Sequence, residues 1–300
     1  MMVERERIGF VGAGMMGRGI AKNLLKAGYA VTLFIHRKRD GIAPLIALGG
    51  EETQDLAELA DRSDTIIVCV DNAQSVRSVV AGLLPALRAG QLLIDATTSD
   101  PEVTREIAAT LRARGVVYAD SPVTGGPVQA EAGALGSIVG CDEADFGRVQ
   151  TIVANYSKTV QRIGAIGTGH YAKLLNNFVT QGTAVLLAEA YSRARDNGVD
   201  WRALYAVMEA GAARSGTLEK MVKPALDGNF DGTQFSLRNA HKDVGYFRRL
   251  AESSARGPSP MAAAIHGVLE YALAAGLGER YVSALLQPDP PGAKSPDEAT

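Results

Sequence analysis

The sequence has few of the features that crosslink a chain, span a membrane or attract polyanions. Its two cysteines, Cys69 and Cys141, are too few for a disulfide framework or a zinc site, so no metal is expected. No apolar run approaches the length of a membrane span. The net charge of -2 indicates neither a nucleic-acid partner nor an anionic membrane. The charged N-terminus leads into a strand and not into a signal-peptide core, so a cytoplasmic enzyme is the expected class.

The 300 residues are enough for two domains, and a hydrophobic content of 46% is typical of globular proteins. In the first half, short apolar segments alternate with helical ones, which indicates a parallel sheet covered by helices on both faces. The predicted strands are residues 8–11, 30–35, 65–70, 91–95, 116–119 and 134–139. Helices are predicted at residues 18–27 and 75–84.

A glycine-rich turn follows the first strand and opens the first helix. It reads Gly12-Ala13-Gly14-Met15-Met16-Gly17, which is G-x-G-x-x-G inside a βαβ unit. Gly12 permits the tight turn, Gly14 lets a pyrophosphate approach the backbone, and Gly17 lets helix and strand pack closely. The free N–H groups at the helix start suit phosphates. This context predicts a dinucleotide site, and a glycine turn without a ligand is the alternative.

The second strand ends in a cationic segment, His36-Arg37-Lys38-Arg39. A site that prefers NAD carries an acidic residue at this strand end to accept from the ribose 2′-hydroxyl, and none occurs before Asp40. Cations here suit a 2′-phosphate instead. NADP is therefore the preferred cofactor, with NAD as the alternative. If the segment binds no cofactor, it is a solvated basic turn.

Other candidates come from the carboxyl ends of later strands, where parallel sheets bind ligands. Val70, Asp71, Thr97 and Thr98 border the expected cofactor site, and Thr98 is the strongest of them, although each could be an ordinary loop residue. After the next strand, Thr124-Gly125-Gly126 allows backbone N–H groups to converge on an anion such as a carboxylate. A plain turn is the alternative for this second loop.

A third candidate stretch runs from Gly167 to Asn177 and leads into a long helix without proline. Lys173 and Asn177 are four residues apart and share one helix face, so a helix joining two domains can present both to the cleft between them. The alternative without function is that Lys173 is a solvated surface lysine. The segments that follow, residues 201–213, 218–223, 239–254 and 261–275, are helical in composition. Lys242 lies near the start of the third of these segments and is either a cofactor contact or a surface charge.

Taken together, these motifs resemble the β-hydroxyacid dehydrogenase family over nearly the whole chain. The dinucleotide loop, the stretch Asp120 to Gly126, the stretch Gly169 to Asn177 and Lys242-Asp243 preceded by Phe235 occur in the family order. The resemblance implies a Rossmann domain (1–166), a long interdomain helix (167–197) and an all-α domain (198–287). Residues 288–300, rich in Pro, Asp and Gly, are predicted to be a disordered tail.

The family's functional residues can be carried over by position. Lys173 is similar to the catalytic lysine and Asn177 to its substrate-holding partner. Thr124, Gly125 and Gly126 resemble the carboxylate-binding loop, Phe235 a substrate contact, and Thr98 and Lys242 cofactor or site contacts. The expected reaction is hydride transfer between NADP(H) and a small 3-hydroxy acid, semialdehyde or 2-oxo acid, with Lys173 as general acid and base.

Three positions depart from the family pattern and leave the substrate open. Gln129 stands where a glycine is usual, Ala134 where threonine is usual, and Thr124 where serine is usual. An imine reductase, a decarboxylating hydroxyacid dehydrogenase and a non-catalytic nucleotide-sensing protein stay as alternatives. Related imine reductases lack the lysine, so Lys173 favours carbonyl chemistry.

The second half predicts self-association. The segments 180–194 and 261–277 are apolar around much of their circumference, which is typical of helices buried on more than one side. A homodimer, or the homotetramer that the family also builds, is therefore expected, with a small carboxylate-bearing substrate as the other partner.

Overall fold

The computed structural model describes residues 5–35 and 41–288. The predicted cationic segment, His36 to Arg39, lies outside the described residues, as does the predicted tail beyond Pro288. The chain divides into two compact units, and the boundary between Lys173 and Leu174 falls inside one long helix.

Unit 1, up to Lys173, is a nine-stranded sheet with helices. Its strands are β1 (Ile8–Val11), β2 (Val31–Phe34), β3 (Glu51–Thr53), β4 (Thr65–Val68), β5 (Leu92–Asp95), β6 (Val117–Asp120), β7 (Val123–Thr124), β8 (Leu135–Gly140) and β9 (Ser157–Gly164). Its helices are α1 (Gly17–Lys26), α2 (Ala43–Ala47), α3 (Leu56–Asp61), α4 (Ala73–Leu83), α5 (Pro101–Arg112), α6 (Pro127–Glu131) and α7 (Phe146–Val153), with a 3₁₀ turn at Glu143–Asp145.

The first six strands run parallel in the order β3-β2-β1-β4-β5-β6. Ile67 of β4 belongs to one apolar core, while its neighbours Ile66 and Val68 belong to a second core. Successive side chains point to opposite faces of a strand, so helices bury both faces of the sheet. This confirms the predicted doubly wound α/β fold and brings the carboxyl ends of β1, β4, β5 and β6 to one edge.

The parallel arrangement predicted for the sheet does not extend beyond β6. β8 pairs antiparallel with β6, through Asp120 and Gly140, and with β7, while β9 pairs parallel with β8. The connection from β6 to β8 contains β7 and the five-residue helix α6. β7 and β8 form an antiparallel pair on either side of α6, so the chain reverses direction here instead of making the helical crossover of a parallel return.

Unit 2 begins within α8 (Thr168–Asp196), a helix of 29 residues, and is helical in its described part. The other helices are α9 (Trp201–Ala210), α10 (Gly216–Ala225), α11 (Leu237–Glu252) and α12 (Pro260–Ala274), followed by a 3₁₀ helix at Val282–Leu286. Their apolar faces form one core that includes Leu218, Met221, Val244 and Leu269. Each predicted helix lies where the sequence indicated, and the family's all-α second part is confirmed.

Across residues 5–35 and 41–288, every helix is too short or too polar to cross a bilayer.

Candidate functional site

The glycine-rich turn after β1 has the geometry that its three glycines suggest. Gly12 has a φ of +101°, and a side chain on it would place Cβ 2.1 Å from the carbonyl oxygen of Cys69. A Cβ on Gly17 would lie 2.0 Å from the carbonyl oxygen of Gly12. A Cβ on Gly14, in contrast, would meet no described atom within 4 Å. The backbone therefore requires glycine at the first and third positions, while the second faces open space.

That open space belongs to a cavity of about 670 Å³ at the carboxyl ends of the strands. Its walls include predicted cofactor residues together with residues of β2 and α4, namely Gly12, Ala13, Gly14, Phe34, Ile35, Val70, Asp71, Gln74, Ser75 and Ser78. Met15 and Met16 lead into α1, where Met16 holds the N-cap position. A thioether is a poor capping group, so the first N–H groups of α1 suit an anionic ligand. The residues present therefore fit a dinucleotide.

Cys69 beside this turn is inert. Burial, with the carboxylates of Asp95 and Asp71 adding to it, raises the pKa of the Cys69 thiol to about 12. The thiol therefore stays protonated at neutral pH, as expected of a small apolar residue.

The loop after β5 joins the edge of this cavity through Thr97. The Thr97 hydroxyl accepts from the backbone N–H of Val70 at 3.1 Å, and the Thr97 N–H donates to Asp95 Oδ1 at 2.9 Å. Thr98, the stronger candidate from the sequence, is half-buried next to it. The ends of β4 and β5 are thus tied together at the predicted cofactor edge.

The predicted substrate loop already uses part of its donor capacity. Gly125 has a φ of +108°, which explains the first glycine after Thr124. The N–H of Gly126 donates to the side-chain oxygen of Gln129 at 2.9 Å, and the Thr124 hydroxyl lies 3.4 Å from the carbonyl oxygen of Gly136. Because an N–H donates one strong hydrogen bond, a carboxylate binding to Gly126 would displace Gln129.

Lys173 lies in the part of α8 that belongs to unit 1, and only 8% of it is exposed. The start of this helix is fixed by Asp120 at the end of β6. The two Asp120 carboxylate oxygens accept the N–H of Gly167 at 2.6 Å and the N–H of His170 at 2.7 Å. Close packing adds to this, since a Cβ on Gly169 would lie 2.6 Å from the carbonyl oxygen of Ile138. The carboxylate caps the helix that carries Lys173.

We expect Asp120→Ala to lower the free energy of unfolding by about 2–4 kcal/mol, because two buried N–H donors lose a charged acceptor. Asp200→Ala, which removes the single exposed bond to the N–H of Ala203, is the matched control and should cost about 1 kcal/mol. Urea unfolding of both variants measures the difference. Equal losses would show that Asp120 is an ordinary cap.

Burial raises the pKa of the Asp120 carboxyl above its usual value of 3.8, even though His170 and the capped N–H groups lower it. A raised folded-state pKa gives stability that is present in acid and is lost as the pH rises through that pKa. The stability deficit of Asp120→Asn relative to the wild type, measured by urea unfolding, should therefore grow as the pH is lowered from 8 towards 5. A deficit that shrinks in acid would contradict this.

The remaining predicted residues, Asn177, Phe235 and Lys242, lie in unit 2, and two of them belong to one polar group. The Asn177 side-chain amide, which is buried, donates to Asp243 Oδ2 at 2.7 Å. Lys242 Nζ lies 3.1 Å from Asp243 Oδ1 and 5.6 Å from the centre of the Tyr246 ring. Phe235 packs partly buried against the core of unit 2. Asp243 thus brings Asn177 and Lys242 together, whereas Phe235 has a packing role in this unit.

Sequence reasoning did not single out the buried polar residues around the start of α8. These are Asp95, Thr104, Asp120 and His170. Asp120 and His170 lay inside motifs that were recognised for their glycines and their lysine. The available signal was a polar residue at each of two strand ends in an otherwise apolar sheet.

A Rossmann unit with this turn and this cavity defines a dinucleotide-binding protein. Residues 7–167 match the NAD binding domain of 6-phosphogluconate dehydrogenase, and residues 167–288 match the NAD-binding domain of NADP-dependent 3-hydroxyisobutyrate dehydrogenase. The chain belongs to the β-hydroxyacid dehydrogenase family.

Three proteins are similar to almost the whole chain. The 2-(hydroxymethyl)glutarate dehydrogenase of Eubacterium barkeri is 32% identical over 287 residues, which is 94% of each protein. The structure of Mycobacterium tuberculosis 3-hydroxyisobutyrate dehydrogenase with L-serine superposes with a TM-score of 0.86 at 25% identity, covering 94% of this chain and 98% of that one. An imine reductase from Pseudomonas sp. shares the fold with a TM-score of 0.60 at 20% identity, over 94% of this chain and 98% of that one. The fold alone therefore does not choose between carbonyl and imine chemistry.

Proposed function

We propose that the protein transfers hydride between NADP(H) and a small hydroxy acid, interconverting a 3-hydroxy acid with its semialdehyde or a 2-oxo acid with its alcohol. The observation that carries the proposal is Lys173, a lysine that is 92% buried although lysines are rarely buried without a reason. It lies in the same unit as the dinucleotide-type turn and its cavity. Two relatives named for hydroxy acids, one of them recorded with L-serine, support the substrate class.

In the proposed reaction, separate groups of residues bind the cofactor, transfer the proton and bind the substrate. The turn Gly12 to Gly17 and the ends of β4 and β5 hold the cofactor, which supplies or accepts the hydride when bound. The Lys173 ammonium polarises the substrate carbonyl oxygen and donates the proton that completes the alcohol; in the oxidative direction, neutral Lys173 removes it. Asn177 holds the substrate oxygen or the lysine, and Thr124, Gly125 and Gly126 bind the carboxylate.

A panel of carbonyl compounds with NADPH tests this function. Glyoxylate, succinic semialdehyde and bulkier aldehydes cover the expected class, and a cyclic imine and a phosphosugar acid cover the two alternative reactions. Turnover of a small carboxylate-bearing carbonyl, measured as loss of NADPH absorbance, supports the proposal. NADPH binding without turnover of any compound would favour a nucleotide-sensing protein instead.

We also propose that the protein is a homodimer, in which helices of unit 2 pack against their equivalents. The exposed residues Leu175, Val179 and Leu186 follow one face of α8, and Met261, Val268 and Tyr271 follow one face of α12. Val179 is 64% and Tyr271 is 68% exposed. Apolar stripes of this kind are uncommon on soluble monomers, and a two-fold interface would cover both.

Light scattering at micromolar concentration is expected to give at least twice the mass of one chain. The double variant Val179→Asp/Tyr271→Asp should shift the mass towards that of one chain, because each buried carboxylate would oppose association. Val207→Asp, on α9 and 70% exposed, is the control and should leave the mass unchanged. A monomeric wild type with full activity would end this proposal.

A further inference from the structure

The imidazole of His170 is fully buried, and both of its nitrogens have polar partners within unit 1. Nδ1 lies 2.7 Å from the Thr104 hydroxyl, and Nε2 lies 2.9 Å from the carbonyl oxygen of Thr97. A carbonyl oxygen only accepts, so Nε2 carries a hydrogen and donates to Thr97. The side chain therefore links the first turn of α8 to the loop after β5.

Thr97 extends this link to the cavity. Its hydroxyl accepts from the N–H of Val70, and Val70 lines the cavity next to Asp71. A continuous series of hydrogen bonds thus runs from the cavity wall at Val70, through Thr97, to His170. Lys173 follows His170 by three residues, so the two are neighbours on the helix surface.

Two buried carboxylates surround the same ring. Asp95 Oδ2 lies 4.0 Å from Nε2, and Asp120 Oδ2 lies 4.0 Å from Nδ1. The hydroxyl of Tyr118 donates to Asp95 at 3.1 Å. Burying this many polar groups costs desolvation energy, and an apolar core of the same volume often stabilises a fold as well or better. Stability alone is therefore a weak reason for the arrangement, whereas fixed directional bonds hold atoms at set positions.

We propose that His170 is a positioning residue that acts through Lys173, and that its bond to Thr97 holds the lysine at a set spacing from the cofactor edge. This inference rests on the proposed function, in which Lys173 donates the proton. In His170→Leu the bonds to Thr97 and Thr104 are lost, while the first turn of α8 keeps its cap from Asp120.

We expect His170→Leu to lower kcat about 10²-fold, the effect of a misplacement of roughly 1 Å, with the KM for NADPH changed by less than about threefold. His170→Gln retains a side-chain amide donor and should recover part of kcat. If the leucine variant does not fold, the glutamine variant carries the test, with an expected fall of roughly tenfold. A kcat within about twofold of the wild type in the folded variants would overturn the inference.

A double-mutant cycle separates positioning from a general structural loss. In a Lys173→Ala background, His170→Leu or His170→Gln should have less than about a threefold effect on the residual rate, because no proton donor is left to misplace. An equal effect in both backgrounds would overturn the inference. An unaffected rate in Lys173→Ala itself would refute the proposed function, so the two failures are distinguishable.

Hydrogen exchange gives a readout without turnover. In the protein without substrate, His170→Leu should speed the exchange of backbone amides 169–173, while amides of β1 stay protected. Gln91→Leu is the matched control, because the Gln91 side chain makes buried bonds to the carbonyl oxygens of Ala60 and Ser63 at the opposite end of β5. The Gln91→Leu variant should have a lower free energy of unfolding and an unchanged kcat. Unchanged exchange of amides 169–173 in His170→Leu would contradict the proposal.

Discussion

Replacing Lys173 with alanine is expected to lower kcat about 10³-fold, within the range that a positioned general acid contributes. The protein should stay folded and bind NADPH with unchanged affinity, because the residues predicted to hold the cofactor are in other segments. Lys173→Met keeps the apolar stem of the side chain and should lose as much. A loss of this size in both variants would identify the ammonium group, and not the packing of the stem, as the functional part.

Steady-state rates with the best compound of the carbonyl panel measure this effect, and fluorescence titration measures NADPH binding. Lys158→Met, on the exposed side of β9, is the control for removing a lysine from unit 1 and should be silent. A Lys173→Ala variant that keeps a tenth of the activity would show that another group donates the proton.

Arg37→Ala and Arg39→Ala are each expected to weaken NADPH binding about ten- to a hundredfold, since one charge-assisted phosphate contact is worth roughly 1.5–3 kcal/mol. NADH binding should change much less, because NADH lacks the 2′-phosphate. Both positions lie outside the described residues, and the prediction rests on their cationic character directly after Ile35, which lines the cavity.

Titration of each variant with NADPH and with NADH tests this cofactor preference. Lys26→Ala, at the exposed end of α1, is the control for loss of one positive charge from the same unit. Equal weakening of both cofactors in Arg37→Ala and Arg39→Ala would refute the interpretation that these residues bind the 2′-phosphate. Raised salt should reduce the difference between the variants and the wild type, because screening weakens exposed charge contacts.

Local patterns in the sequence determined the core of unit 1. Continuous apolar runs were enough to predict β1, β4 and β5, because strands buried on both faces carry apolar residues at consecutive positions. The glycine spacing after β1 predicted a turn whose geometry now requires glycine at Gly12 and Gly17. These features depend on neighbours in the chain, so the sequence alone contains the information.

Strand β9 and helix α5 are among the elements that were not predicted. Strand β9 carries exposed polar residues such as Lys158, Thr159 and Gln161, because among the described strands it pairs with β8 alone and lies at the sheet edge. Helix α5 was also overlooked, although Asp100 at its N-cap and Pro101 at its first position are a readable start signal. Strand β9 was not predicted because an edge strand need not be apolar. The start of α5, in contrast, could have been predicted from the sequence.

Only the tertiary structure decided how the start of α8 is held. The direction of β8 follows from its antiparallel pairing with β7, and this brings Gly140 against the end of β6. Asp120 and His170 are fifty residues apart, and their bond exists because β6 ends where α8 begins. Composition and periodicity describe a chain locally, whereas a buried polar contact is selected by which distant atoms packing brings within 3 Å of each other. The sequence by itself thus determined the fold class and the candidate lysine, and the packing of unit 1 determined what holds that lysine in place.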